Sequence, residues 1–189
     1  MCSWIFNNSR IKARPVEVDD ASYYTKWWND GKLMESVGFK NGLNISLEKT
    51  TKILEKCISS TNPKDNKMFI ILDSKNDLPI GELVYGEYDE ELRNCRIGIK
   101  ICELDYQGKG YGYESCVEFF KYLFTNLHLQ TILIDTLLTN TRAINLYQRL
   151  GSKTTQILRN FWTSPEGISY DVIFFELSKD DFYNNLMIK

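Results

Sequence analysis

Apolar and polar residues alternate over residues 11–18, as in a strand, with Pro15 marking an edge or a bulge. Asp19 and Asp20 can cap the helix that follows, in which Ala21, Tyr24, Trp27 and Trp28 recur at helical spacing until Asn29-Asp30-Gly31 ends it. Ser46 starts a second helix with Leu47, Ile53, Leu54, Cys57 and Ile58 on one side, ending before Asn62-Pro63. The apolar run 68–72, the polar turn 73–77 and the apolar segment 80–86 read as a hairpin. An acidic turn, 87–91, then leads to an alternating strand over 96–102, which makes three consecutive strands an antiparallel meander.

Helical periodicity returns over 113–127: Tyr113, Cys116, Val117, Phe120, Leu123, Phe124 and Leu127 share a face, with Glu118 and Lys121 opposite. Residues 131–137 form a buried strand. The order strand, crossover helix, strand requires it to run parallel to 96–102. A helix over 142–150 closes on Gly151; strands at about 153–158 and 170–177 flank a loop at 160–167, and a terminal helical turn starts at Asp180. With no repeat, linker or low-complexity stretch, the chain reads as a single α/β (α+β) domain over residues 1–189.

At 189 residues and 43% hydrophobic content there is enough chain for one sizeable core. Lys plus Arg (23) nearly balances Asp plus Glu (25), so there is no broad basic footprint and nucleic acid is not an expected partner. The five cysteines, Cys2, Cys57, Cys95, Cys102 and Cys116, show no C-x-x-C spacing and read as reduced core thiols. The single histidine, His128, lies in a helix-to-strand turn and reads as structural; no metal site or Ser-His-Asp triad can be assembled. No signal peptide and no apolar run near the ~18 residues of a membrane span are visible, so a soluble cytoplasmic protein is expected, without membrane partners.

The chemistry starts at Gln107-Gly108-Lys109-Gly110-Tyr111-Gly112, between the 96–102 strand and the next helix. Glycines allow close backbone approach and a helix N-terminus presents free N–H groups, a combination suited to an anion such as pyrophosphate. Tyr113 stands where a dinucleotide fingerprint needs its last glycine, and Gly110 stands where a Walker loop needs Ser or Thr. A glycine turn that merely caps the helix is the alternative.

The remaining pattern, Gln-x-x-Gly-x-Gly, resembles the coenzyme A loop of the GNAT (GCN5-related) N-acetyltransferases. A second stretch, Asn140-Thr141-Arg142-Ala143-Ile144-Asn145-Leu146-Tyr147-Gln148-Arg149-Leu150-Gly151, resembles that family's N-x-x-A-x-x-L-Y-x-x-x-G signature. The similarity runs from residue 11 to the Tyr170-Asp171-Val172 segment and is closest to the ribosomal-protein and spermidine acetyltransferase branch. Leu104, where many members have proline, and Ser152, where an aromatic commonly stands, depart from the pattern.

The resemblance implies a mixed, mostly antiparallel sheet of about seven strands, opened between two central parallel strands and flanked by about four helices. It implies acetyl transfer from acetyl-CoA to an amine by direct attack, with acetyl-CoA held by the backbone near Ile99, Ile101 and Cys102, by residues 107–112, and by Asn140 and Arg142. Gly98 is compatible with a bulge there, which would supply an N–H to the developing oxyanion. Arg149 or Lys109 could also reach phosphates. Tyr147 is the implied general acid for the leaving thiolate, set against a purely apolar packing role. Asp135 matches a base position, where apolar neighbours would raise its pKa, set against a structural carboxylate; Glu82 is an alternative base.

A base is worth more for some amines than for others. A side-chain amine of pKa ~10.4 costs roughly 4 to 5 kcal/mol to deprotonate at neutral pH, and an α-amine of pKa ~7.8 about 1 kcal/mol. The expected acceptor is a small amine such as a polyamine, or a protein amine. Trp27, Trp28 and Asp30 could wall its pocket, with Trp162 near it, or the first three could be core stripe and turn; the acidic run 87–91 could attract a polycation or simply be a solvated hairpin tip. Monomer and homodimer both remain open. The alternative function is a non-catalytic acyl-CoA-binding regulatory module.

Overall fold

A computed structural model describes residues 4–187; Cys2 lies outside the described residues. Eight strands form one sheet: β1 (Phe6–Asn7), β2 (Ile11–Pro15), β3 (Lys67–Asp73), β4 (Pro79–Asp89), β5 (Asn94–Ile101), β6 (Thr131–Leu137), β7 (Lys153–Thr163) and β8 (Ser169–Ser178). Their spatial order is β1-β2-β3-β4-β5-β6-β8-β7. The β3–β4–β5 meander is antiparallel, and β5 and β6 are the parallel pair. The expected mixed sheet with parallel central strands is the observed fold.

The helices are α1 (Ala21–Asn29), α2 (Gly31–Met34), α3 (Leu47–Ser59), α4 (Tyr111–Asn126), α5 (Thr141–Arg149) and α6 (Lys179–Met187). On one face of the sheet, Phe119, Phe120, Leu123 and Phe124 of α4 and Phe182 of α6 are fully buried against Ile97, Ile132, Ile134, Ile173 and Phe175. Each such side chain contributes about 1.5–3 kcal/mol of burial, which fixes α4 along β5 and β6. On the other face α1 and α3 set Tyr24, Trp27 and Leu54 on Ile70, Leu72 and Cys102. That cover ends near β5. Beyond it Asp135 and Phe161 stay exposed.

Local chemistry moved several boundaries. Asp20 does not cap α1: its buried carboxylate takes Arg14 in two hydrogen bonds, 2.8 and 2.9 Å, and accepts the Glu17 amide. The alternation through residue 18 breaks at Pro15, and Val18–Asp20 turns into a 3-10 segment instead of strand. Asp30 does not only end α1, because its carboxylate accepts the Lys32 and Leu33 amides and so starts α2. The stripe on α3 is narrower than its periodicity suggests: Thr50 and Leu54 are buried, but Leu47 and Ile58 are exposed.

Residues 160–163 continue β7 and are not loop, since Trp162 and Thr163 pair with Tyr170 and Ser169 across a turn in which Gly167 has φ 80°. Cys95, Cys102 and Cys116 are buried free thiols and Cys57 is half-buried. His128 occupies an exposed turn at φ 53°.

Candidate active site

The parallel pair β5–β6 is registered from Asn94–Thr131 only to Ile97–Ile134. Beyond that point β5 keeps its pairing with β4 through Ile101, and β6 with β8 through Leu137, so a gap opens between them. No bulge occurs at Gly98, which pairs in register with Val84; divergence of the strands makes the opening. The Cys102 amide donates to Ile80 O at 2.7 Å on the β4 side. Amides alternate sides along a strand, so those of Ile101 and Ile99 face the gap. Gln107 Nε2 donates to the Ile101 carbonyl at 2.9 Å. Cys102 is therefore turned away from the gap, its thiol donating to Lys100 O, and does not share the backbone role expected of it.

At the open end of β5 lies the glycine loop. Gly108 and Gly110 have φ 72° and 88°, and Gly110 is the residue from which α4 starts at Tyr111. A Cβ on Gly112 would meet Ile101 Cγ1 at 3.7 Å, an ordinary contact, so α4 lies beside β5 without needing a glycine there. The loop is tied from two directions. Arg142 of α5 donates to Gln107 Oε1 at 3.1 Å. Arg10, which belongs to neither signature stretch, donates to Lys109 O at 3.1 Å, pairs with Glu114 at 2.8 Å and lies 4.3 Å over the Tyr111 ring. Nothing in the pattern around Arg10 marks it, because its partners are about a hundred residues away. Arg149 stacks on Tyr113 at 4.3 Å, away from this loop's hydrogen bonds.

Asn140 caps α5 by accepting the Ala143 amide, and its Nδ2 donates to Ser36 O at 3.3 Å and Thr136 Oγ1 at 3.2 Å. Its amide group is thus spent on joining three backbone segments. On α5, Tyr147 is buried and packs on Phe175, with no hydrogen-bond partner for its hydroxyl among the described residues. Burial above all, with the nearby Cys116 and Asp135, holds its phenol well above the ordinary tyrosine range.

Asp135 is not buried among apolar neighbours, as its strand context suggested. It is exposed, with 37% of its side chain accessible, and accepts Arg96 Nη1 at 2.5 Å. The second carboxylate, Glu82, is committed to Lys100 Nζ at 2.9 Å and to Trp28 Nε1 at 3.0 Å. Trp27 is core, its indole N–H on Glu103. The acidic turn 87–91 lies at the Asn94 end of β5, opposite to the gap.

A cavity of about 200 Å³ opens over the exposed face of β6, lined by Asp135 and Leu137, by Val37 and Phe39 from the segment after α2, and by Phe161 and Trp162 of β7. Trp162 closes one wall: its ring occupies the space a Cβ on Gly38 would need, 2.2 Å away, and meets Phe39 edge-on at 5.1 Å. Val37, Phe39 and Phe161 carry no periodic signal, and a strand running into the hairpin was needed to place Phe161.

Residues 10–153 match the acetyltransferase (GNAT) domain family. The chain belongs to the GNAT acetyltransferase family. Solved GNAT structures share its fold. The crystal structure of spermidine N-acetyltransferase from Vibrio cholerae in complex with CoA and spermine superposes with a TM-score of 0.82 at 22% identity, covering 94% of this chain and 100% of that one. A ribosomal L7/L12 alpha-N-protein acetyltransferase in complex with coenzyme A gives 0.82 at 14% identity, covering 95% and 99%. At these identities the likeness extends to the fold alone. In this GNAT domain the two signature stretches meet: Gln107 of the first is hydrogen-bonded to Arg142 of the second. Among the described residues, no helix is long and apolar enough to cross a membrane and no group of His, Cys, Asp and Glu could hold a metal ion.

Proposed function

We propose that this chain, acting as one domain, transfers the acetyl group of acetyl-CoA directly to a primary amine, with Tyr147 as general acid and Asp135 as base. The observation that carries the reading is the gap between β5 and β6, with two free-facing amides on one side and the glycine loop at its end. Acetyl-CoA supplies the thioester. The residues present fit such a substrate: Gly108 and Gly110, at positive φ, let the loop backbone be approached closely, and the amides of Ile99 and Ile101 have no β6 partner beyond Ile97.

The amides of residues 108–112 and the positive end of α4 suit the pyrophosphate, with Gln107 and Arg142 holding the loop in shape. Lys109 adds positive charge beside it. The gap amides can donate to the carbonyl oxygens of the pantetheine arm and to the thioester carbonyl oxygen as negative charge develops there. Asn140 supports the site by joining α5, β6 and the segment after α2.

In the transfer, the amine nitrogen forms a bond to the acetyl carbon and the carbon–sulfur bond breaks. Asp135 takes the amine's proton through water, and Tyr147 gives its proton to the departing thiolate, leaving an amide and free CoA thiol. A phenol kept protonated by burial suits the second role. Asp135 reaches the acceptor because it lines the cavity beside the gap. Release of free thiol from acetyl-CoA, followed with a thiol reagent across a panel of amines, tests the reading. Firm CoA binding with no thiol release for any amine would overturn it.

A further inference from the structure

The cavity over β6 is chemically lopsided. Three aromatic residues, Phe39, Phe161 and Trp162, and three aliphatic ones, Val37, Leu137 and Val172, line it, and Asp135 is its one titratable lining residue among the described residues. That carboxylate is already neutralised by Arg96 at 2.5 Å. The other acids on this face of β4 and β5 are taken as well: Glu82 by Lys100 at 2.9 Å and Glu87 by the same Arg96 at 2.9 Å. Glu166, at the hairpin tip and hydrogen-bonded to Asn41, is fully in water and screened.

Resting on the proposed transfer reaction, we infer that the acceptor is a primary amine carrying a single positive charge on a compact apolar body, and not a linear polyamine. A polyamine brings several ammonium groups, each of which loses hydration on entering and needs its own carboxylate or dipole in exchange. The cavity holds no unpaired carboxylate to offer. One ammonium can share Asp135 with Arg96 and lie against aromatic faces, and its apolar body gains from leaving water.

Size points the same way. About 200 Å³ is below the range of a drug-sized ligand site and suits a group of about one amino-acid residue at the reacting end. The walls are tied to one another: Trp162 is seated on Gly38 and Phe39, Asn41 bonds Glu166, and Asn140 holds Ser36 O, so the segment after α2 is joined to the β7–β8 hairpin and to α5 beside the cavity. The same chemistry is presented by a small arylalkylamine and by a peptide whose first residue is apolar.

The full chain is assayed for thiol release with phenethylamine, with a short peptide bearing an amino-terminal phenylalanine or methionine, and with spermidine. The expected kcat/KM for at least one of the first two exceeds that for spermidine by ten-fold or more; which of them leads identifies a free amine or a peptide source. Trp162→Ala is expected to raise KM for the preferred amine five-fold or more with a smaller change in kcat. Calorimetric titration of the same amines into CoA-saturated protein reads the preference independently of turnover. Spermidine binding or reacting better than both apolar amines overturns the inference, whereas absence of thiol release with all three, alongside preferential binding of an apolar amine, overturns the transfer reaction and leaves the inference standing.

Discussion

Arg96 Nη1 lies 2.5 Å from Asp135 Oδ1, and the strands that carry them stop pairing one residue later on β5, after Ile97. The ion pair therefore stands at the mouth of the gap, and its Asp135 lines the cavity. Because both side chains are about one-third exposed, the pair itself adds little to stability. Asp135→Asn is expected to lower kcat by about 10²-fold, the lower range of general base catalysis, while changing unfolding free energy by no more than about 0.5 kcal/mol. Steady-state kinetics and urea unfolding on the same preparation check both halves.

Tyr147→Phe removes a hydroxyl that has no hydrogen-bond partner among the described residues, so no buried group is left unsatisfied. The variant should fold with unchanged stability and lose about 10²-fold in kcat. Since burial raises the phenol, it keeps its proton past the ordinary tyrosine pKa of ~10. Loss of the general acid should therefore produce no alkaline fall in kcat below about pH 10, which a pH–rate profile of the parent protein would show.

Gly110 has φ 88° and the nearest group to a Cβ there is Arg10 Nη1 at 4.0 Å, so substitution meets conformational strain and no clash. Gly110→Ala should cost about 1–2 kcal/mol in stability. If the loop binds the pyrophosphate, KM for acetyl-CoA should rise with little change in kcat. An equal loss in both parameters would instead place the loop's role in the chemical step.

Among the described residues, Asp20 and Arg14 form the ion pair with least exposure, at 5% and 12% of their side chains. Breaking it takes two hydrogen bonds from the Arg14 guanidinium, which keeps Glu17 at 3.7 Å and Pro15 O at 3.1 Å. Asp20→Ala should cost about 1–3 kcal/mol, measured as a shift of the urea midpoint at constant slope.

Alkaline pH provides a test of the core itself. Burial pushes the Cys95 thiol up to about 12 and raises Cys116, Tyr24 and Tyr147 as well. Raised groups hold their protons in the folded state while the unfolded chain releases them. Their contribution is full below the unfolded thiol pKa of ~8.5 and is lost as pH rises toward the folded values. Urea midpoints should fall steadily from about pH 8.5 upward, and Cys95→Ala should flatten the early part of that fall.

Much of the fold is legible along the chain because it rests on local periodicity and punctuation. The meander over 67–101, the α4 face and the parallel relation of β5 to β6 follow from alternation, helical spacing and the handed crossover. Failures came where one side chain had two possible partners nearby. Asp20 offered itself as a helix cap and went to Arg14; Asp30 offered itself as a stop and became a cap for α2. The two-residue strand β1 is too short for any period to show.

The sequence by itself determined the two signature stretches, their order and the strand–loop–helix that joins them, since glycine conformation and helix starts are settled within a few residues. Only the tertiary structure decided what faces what: that Gln107 meets Arg142, that Arg10 holds the loop, that Asp135 is paired and exposed, and that Trp162 closes a cavity over it. These are contacts between residues tens to a hundred positions apart, brought together by strand order and by where two strands part. Ion pairing and exposure are properties of that three-dimensional neighbourhood, and no local pattern encodes them.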